Sequence, residues 1–163
     1  MAQPGTSGIL QLLTFNLDKE VYGFDIARVR EVMEFRTATP VPKSPNFMKG
    51  VINLRGRVIP VIDLKIKCGL KPTEITDDTC VIIVEVKHAK ETVVMGAIAD
   101  QVQEVLEFSR EKMESLPKIG TRLNPEYAKT MGRHQDGYFI VLDVDKIFYD
   151  VDMESMDMEG NAA

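Results

Sequence analysis

The sequence predicts a mainly β fold of two small barrels packed together, with short helical turns between strands. Short runs of alternating apolar and polar residues, bounded by turn residues, recur along the chain, and the pattern of the first half returns in the second. A chain of 163 residues with 44% apolar content can bury enough surface for one compact domain or for two small barrels sharing a core.

The first strand is read from Leu13, Phe15 and Leu17, which alternate with Thr14, Asn16 and Asp18. Asp18-Lys19-Glu20 makes a polar turn into a second strand, Val21-Tyr22-Gly23-Phe24, so the pair reads as a hairpin. Beyond Asp25, a suitable N-cap, Ile26, Val29 and Val32/Met33 fall at helical spacing and predict a helix of about two turns. Prolines 40, 42 and 45 then impose an extended crossing. Two strands follow, Lys49 to Leu54 and Val58 to Leu64, around Arg55-Gly56-Arg57. Pro60 has no amide to donate, which keeps its strand from being fully paired on both sides.

A polar stretch, Lys71 to Thr79, separates this half from strands predicted over Cys80 to Val86 and Thr92 to Ile98. At an offset of 96 − 23 = 73, Gly23, Val29, Glu31, Val32, Met33, Glu34 and Phe35 meet Gly96, Val102, Glu104, Val105, Leu106, Glu107 and Phe108. Residues 62–66 find a looser echo in 142–147, at an offset near 80. The chain reads as a diverged tandem repeat, with a flexible start over 1–8, a first subdomain over about 9–78, a second over about 79–150, and a tail, 151–163, in which Met153, Met156 and Met158 lie among acids.

The net charge of −5 is unevenly spread. The last fourteen residues carry five acids and no Lys or Arg, while residues 28–71 hold ten Lys/Arg against three acids, 10 − 3 = +7. A basic half suits a nucleic-acid face, an acidic protein partner or a solvated mixed surface. No RNP-like aromatic pattern accompanies it, so a small nucleic-acid-binding barrel is the weaker alternative. No apolar run nears the ~20 residues that span a bilayer, and MAQPGTSG lacks signal-peptide features, which predicts a cytosolic protein.

Catalytic constellations are missing from the sequence. His88 and His134 stand apart from any nucleophile, Cys68 and Cys80 form no CxxC pair, and no phosphate-binding glycine loop occurs. Asp63 and Asp143 occupy equivalent strand ends, where a carboxylate caps the next turn. The expectation is a binding module with no catalytic residue, metal or cofactor.

Residues 50–64, GVINLRGRVIPVIDL, resemble the signature hairpin of the CheW family, GVxNLRGxVxPVxDL, at every specified position. Tyr22-Gly23-Phe24-Asp25-Ile26 with Val29, Glu31 and Val32 resembles the family's YGxDIxxVxEI segment, and the likeness covers about residues 9–150. The resemblance implies two tandem five-stranded SH3-like barrels and a non-enzymatic adaptor of bacterial chemotaxis, cytoplasmic and recruited to membrane receptor arrays. Its partners would be the cytoplasmic hairpin tip of a chemoreceptor, received between the barrels, and the regulatory domain of the histidine kinase CheA. Carried over by motif, Val29, Glu31 and Arg55 lie at or near the receptor site, with Asn53, Leu54 and Gly56 shaping the Arg55 hairpin; no motif places the kinase contacts. Val29 at its helical spacing reads more readily as plain core, Glu31 also suits a solvated helix charge, and Arg55 beside Gly56 is hardest to explain as packing. Arg55 is expected at an exposed hairpin tip, close to Glu31.

Overall fold

A computed structural model describes residues 8–116, 123–135 and 137–149. The expectations for the first seven residues and for 150–163 lie outside the described residues. Ten strands alternate with short turns in two matching series. The first series runs β1 (Ile9–Leu17), β2 (Glu20–Asp25), β3 (Val29–Glu34), β4 (Met48–Leu54), β5 (Arg57–Asp63) and helix α1 (Leu64–Lys67). The second runs β6 (Cys80–His88), β7 (Glu91–Ala99), β8 (Gln101–Ser109), β9 (Ala128–His134), β10 (Gly137–Leu142) and helix α2 (Val144–Phe148). As expected of the paired aspartates, Asp63 accepts a hydrogen bond from Lys65 N–H and Asp143 one from Lys146 N–H, each starting its helix.

The strands form two five-stranded sheets, ordered β8-β1-β2-β10-β9 and β3-β6-β7-β5-β4. Each sheet curls closed. The chain leaving β3 returns at Thr39 to exchange both backbone hydrogen bonds with Val51 of β4, and the chain leaving β8 returns at Glu114 to do the same with Met131 of β9. These are the two five-stranded barrels expected.

Two readings change. The barrels do not follow the division near residue 78, because the β1-β2 hairpin joins strands 8 to 10 while the β6-β7 hairpin joins strands 3 to 5. Each half thus donates its opening hairpin to the other half's three remaining strands. The joints are the parallel pairings of β2 with β10 and of β7 with β5, where Gly23 faces Val141 and Gly96 faces Val61. The predicted helix after Asp25 is instead one 3-10 turn, Ile26–Arg28, capped by Asp25, followed by strand β3. An unpaired β6 edge supplies a ladder for Val29–Glu34, interrupted by a bulge at Arg30, and alternate residues there are half-buried and exposed. Tertiary pairing outweighs a short helical spacing of β-branched residues. Pro60 behaves as its chemistry demands, since the β7 ladder begins one residue later, at Val61.

Among the described residues the apolar side chains gather in three clusters. Leu10, Leu12, Phe139 and Val141 pack in the barrel containing β1, and Ile52, Ile59, Val61, Val81, Ile83 and Ile98 in the barrel containing β3. The largest cluster draws on both barrels and both helices, including Phe15, Phe24, Ile82, Met95, Leu64 and Phe148. Each fully buried side chain of this size contributes about 1.5–3 kcal/mol, so the shared cluster welds the barrels into one body.

Charged clamps flank that core. Lys65 of α1, 6% exposed, pairs with Asp18 at the β1-β2 turn and lies 3.6 Å from Asp100. Burial pulls the Lys65 ammonium down, but the two carboxylates outweigh it and hold it above its ordinary value. Asp145, second residue of α2, receives both Nη groups of Arg28 and the Lys87 N–H at the end of β6. Burial raises the Asp145 carboxyl, yet these hydrogen bonds prevail and hold it below the usual carboxylate range. Asp145→Asn is therefore expected to cost about 1–2 kcal/mol in urea unfolding at neutral pH, the worth of charged hydrogen bonds discounted for partial exposure. The loss should shrink as pH falls through the depressed Asp145 pKa, where the wild-type carboxylate also becomes neutral.

Gly50 makes barrel closure possible. Its φ of +147° is disfavoured for L side chains, and a Cβ there would collide with the Thr39 carbonyl. Gly50→Ala is expected to destabilise by about 2–3 kcal/mol, measured as a lower urea midpoint at constant slope.

Candidate functional site: the hairpin tip of the second barrel

The β4-β5 hairpin closes with Leu54 opposite Arg57, leaving Arg55-Gly56 as a two-residue turn. Both residues have positive φ, +51° and +80°, the arrangement that matches the twist of the flanking strands. Gly56 adopts it freely; Arg55 does so because its neighbours hold the turn. Asn53 Oδ1 accepts from Gly56 N–H at 3.0 Å, and Leu54, 9% exposed, anchors the strand end in the barrel interior.

Anchored in this way, Arg55 projects across the barrel mouth to β3. Its Nη1 donates to Glu31 Oε1 at 2.6 Å and its Nη2 to Oε2 at 3.1 Å, a parallel two-bond fork. The Arg55 side chain is still 72% exposed. Of the five N–H groups on a guanidinium two point at Glu31, so the fork is oriented without being saturated. Arg55 holds the Glu31 carboxyl below the usual range, chiefly by hydrogen bonding, and Arg36 lowers it further by charge. Arg36 also donates from Nη1 to the Asn53 carbonyl oxygen at 3.1 Å.

Glu31, Asn53, Leu54, Arg55 and Gly56 thus come together, and the expected nearness of Arg55 and Glu31 is found. Val29 does not join them. It faces Val84 across the ladder and packs against the shared core, as its alternative reading allowed. Arg36 went unnoticed in the sequence, where it follows Phe35 in no recognised motif.

The first barrel carries a counterpart. Glu104 of β8 corresponds to Glu31, and His134 Nε2 at the end of β9 lies 3.7 Å from its Oε1. Gln135, at the position of Arg55, has the same positive φ, +55°. A groove of about 990 Å³ beside α1 is lined by Tyr22, Cys68, Leu70, Leu123 and Ile140 among others, and none of the six predicted residues borders it. Burial pushes the Cys68 thiol up to about 12, so it stays protonated at neutral pH. Among the described residues no three His, Cys, Asp or Glu side chains gather to hold a metal, and no helix is long and apolar enough to cross a membrane.

Comparison with known proteins agrees with this architecture. The profile of the CheW-like domain matches residues 11–152. The chain belongs to the CheW-like family. Among its relatives, the chemotaxis protein CheW of Treponema pallidum is 31% identical over 150 residues, covering 90% of this chain and 86% of that protein. The chemotaxis protein CheW of Thermotoga maritima is 32% identical over 144 residues, covering 86% and 89%. A crystal structure of the scaffolding protein TtCheW from Thermoanaerobacter tengcongensis superposes with a TM-score of 0.80 at 30% identity, over 93% of this chain and 95% of that one.

The ion pair of this CheW-like chain has a pH signature. Because Glu31 is depressed by Arg55, the fork persists above the ordinary carboxylate range and opens only as pH falls through the lowered value. In a carbon-13 NMR titration the Glu31 carboxyl should change below the usual Glu range in the wild type and move up in Arg55→Ala.

Proposed function

We propose that the chain is a non-enzymatic adaptor that couples chemoreceptors to the histidine kinase CheA. The observation that carries the reading is the Arg55 fork, held by Glu31 and by the turn around Gly56 yet largely open to solvent. A long charged side chain kept in one geometry at an exposed site adds little to folding, because its Coulomb energy is screened and its rotamer freedom is lost. The same preorganisation favours binding, since the ordering cost is met before the partner arrives. Relatives and structural neighbour are named as chemotaxis and scaffolding proteins, which supports this role.

In this reading Arg55 and Glu31 engage the cytoplasmic hairpin tip of a receptor, Asn53, Leu54 and Gly56 shape the contact, and Val29 supports it from the core side. The kinase regulatory domain binds elsewhere on the barrels, and receptors draw the adaptor to the membrane. The nucleic-acid alternative is weaker because part of the basic half is already neutralised: Arg28 by Asp145, Arg55 by Glu31, and Lys65 by Asp18.

Arg55→Ala is expected to leave the melting curve nearly unchanged while weakening a receptor-tip fragment at least tenfold and sparing the kinase regulatory domain. Calorimetric titration of both partners with both proteins tests this. Equal loss toward the two, or a collapsed fold, would make Arg55 a structural residue.

A further inference from the structure

The geometry points to Arg36 as a positioning residue of the docking site, one that holds the Asn53–Gly56 turn against the β3 side of the barrel mouth and so aims the Arg55–Glu31 fork. The inference deepens the proposed receptor site and rests on it.

Arg36 is itself firmly placed. One residue earlier Phe35 N–H bonds the Thr79 carbonyl at 3.1 Å, and three residues later Thr39 exchanges backbone hydrogen bonds with Val51 at 2.8 and 2.9 Å. Between them Ala38 is buried in the barrel interior cluster. The segment therefore crosses the barrel opening tied at both ends, and the exposed Arg36 side chain reaches from it to Asn53.

Asn53 is the pivot of the turn. Its side chain receives Gly56 N–H while its backbone carbonyl receives Arg36, so both of its oxygens take part in fixing the tip. Arg36 acts on the other end of the fork as well, through its charge on Glu31. One cation thus steadies the turn that carries Arg55 and favours the charged form of the carboxylate that orients it. Arg55 and Arg36 are the charged groups acting on Glu31; β6, its ladder partner, presents the apolar Ile83 opposite it.

The test uses full-length Arg36→Gln and Arg36→Lys beside Arg55→Ala. The readouts are affinity for a chemoreceptor hairpin-tip fragment, affinity for the kinase regulatory domain, melting, and the Glu31 carboxyl titration. Arg36→Gln is expected to bind the receptor fragment about three- to tenfold more weakly, with unchanged kinase affinity and melting. Its Glu31 titration should move up, because a lowering charge is gone, and Arg36→Lys should restore that titration. Wild-type receptor affinity in Arg36→Gln beside a weakened Arg55→Ala overturns the role of Arg36 and leaves the docking site standing. Wild-type affinity in Arg55→Ala overturns the docking site. A Glu31 titration unmoved by Arg36→Gln, or parallel losses toward both partners, overturns the positioning role in either case.

Discussion

The structure depends on an exchange: the β1-β2 hairpin completes one barrel and the β6-β7 hairpin the other, so neither half of the chain owns a closed sheet. A five-stranded barrel missing two interior strands would expose ladder groups on both sides of the gap, and unpaired backbone groups are costly to leave out of water. Each half thereby needs the other before its own core is covered. The largest apolar cluster takes side chains from both barrels and both helices for the same reason.

The two clamps sit at matching places with opposite polarity. The second residue of α1 is a lysine meeting the carboxylates of Asp18 and Asp100; the second residue of α2 is an aspartate meeting Arg28 and the Lys87 amide. The repeat has kept the position of a cross-barrel ion pair while reversing its sign. Both pairs are partly or largely shielded from solvent, so they orient the helices against the hairpin ends as well as attract them.

The β4-β5 tip takes no part in either clamp. The tip of the second barrel is free to carry a residue in a left-handed conformation, a strained choice for arginine that persists because Asn53, Gly56 and Arg36 over-determine the turn. Its counterpart keeps the same backbone shape at Gln135, with His134 facing Glu104 where Arg55 faces Glu31. One scaffold thus presents two faces of different chemistry.

Much of this was written along the chain. The alternation of Leu13, Phe15 and Leu17, the turn at Arg55-Gly56, the capping aspartates and the repeated glycines fix strands, turns and repeat, because period, φ preference and hydrogen-bonding capacity are local properties. Of the six residues carried over from the family motif, five meet in space and Val29 packs against the core. What tertiary structure decided was pairing. Residues 26–33 have a spacing that suits a helix; residues 26–28 keep only a single 3-10 turn, and the open edge of β6 makes Val29–Glu34 a strand. The exchange of hairpins leaves no mark in either half, since a strand's own sequence records which face is buried but not which half supplies its neighbour. Arg36 was invisible for the same reason: its partner, Asn53, lies seventeen residues away and is brought to it by barrel closure alone.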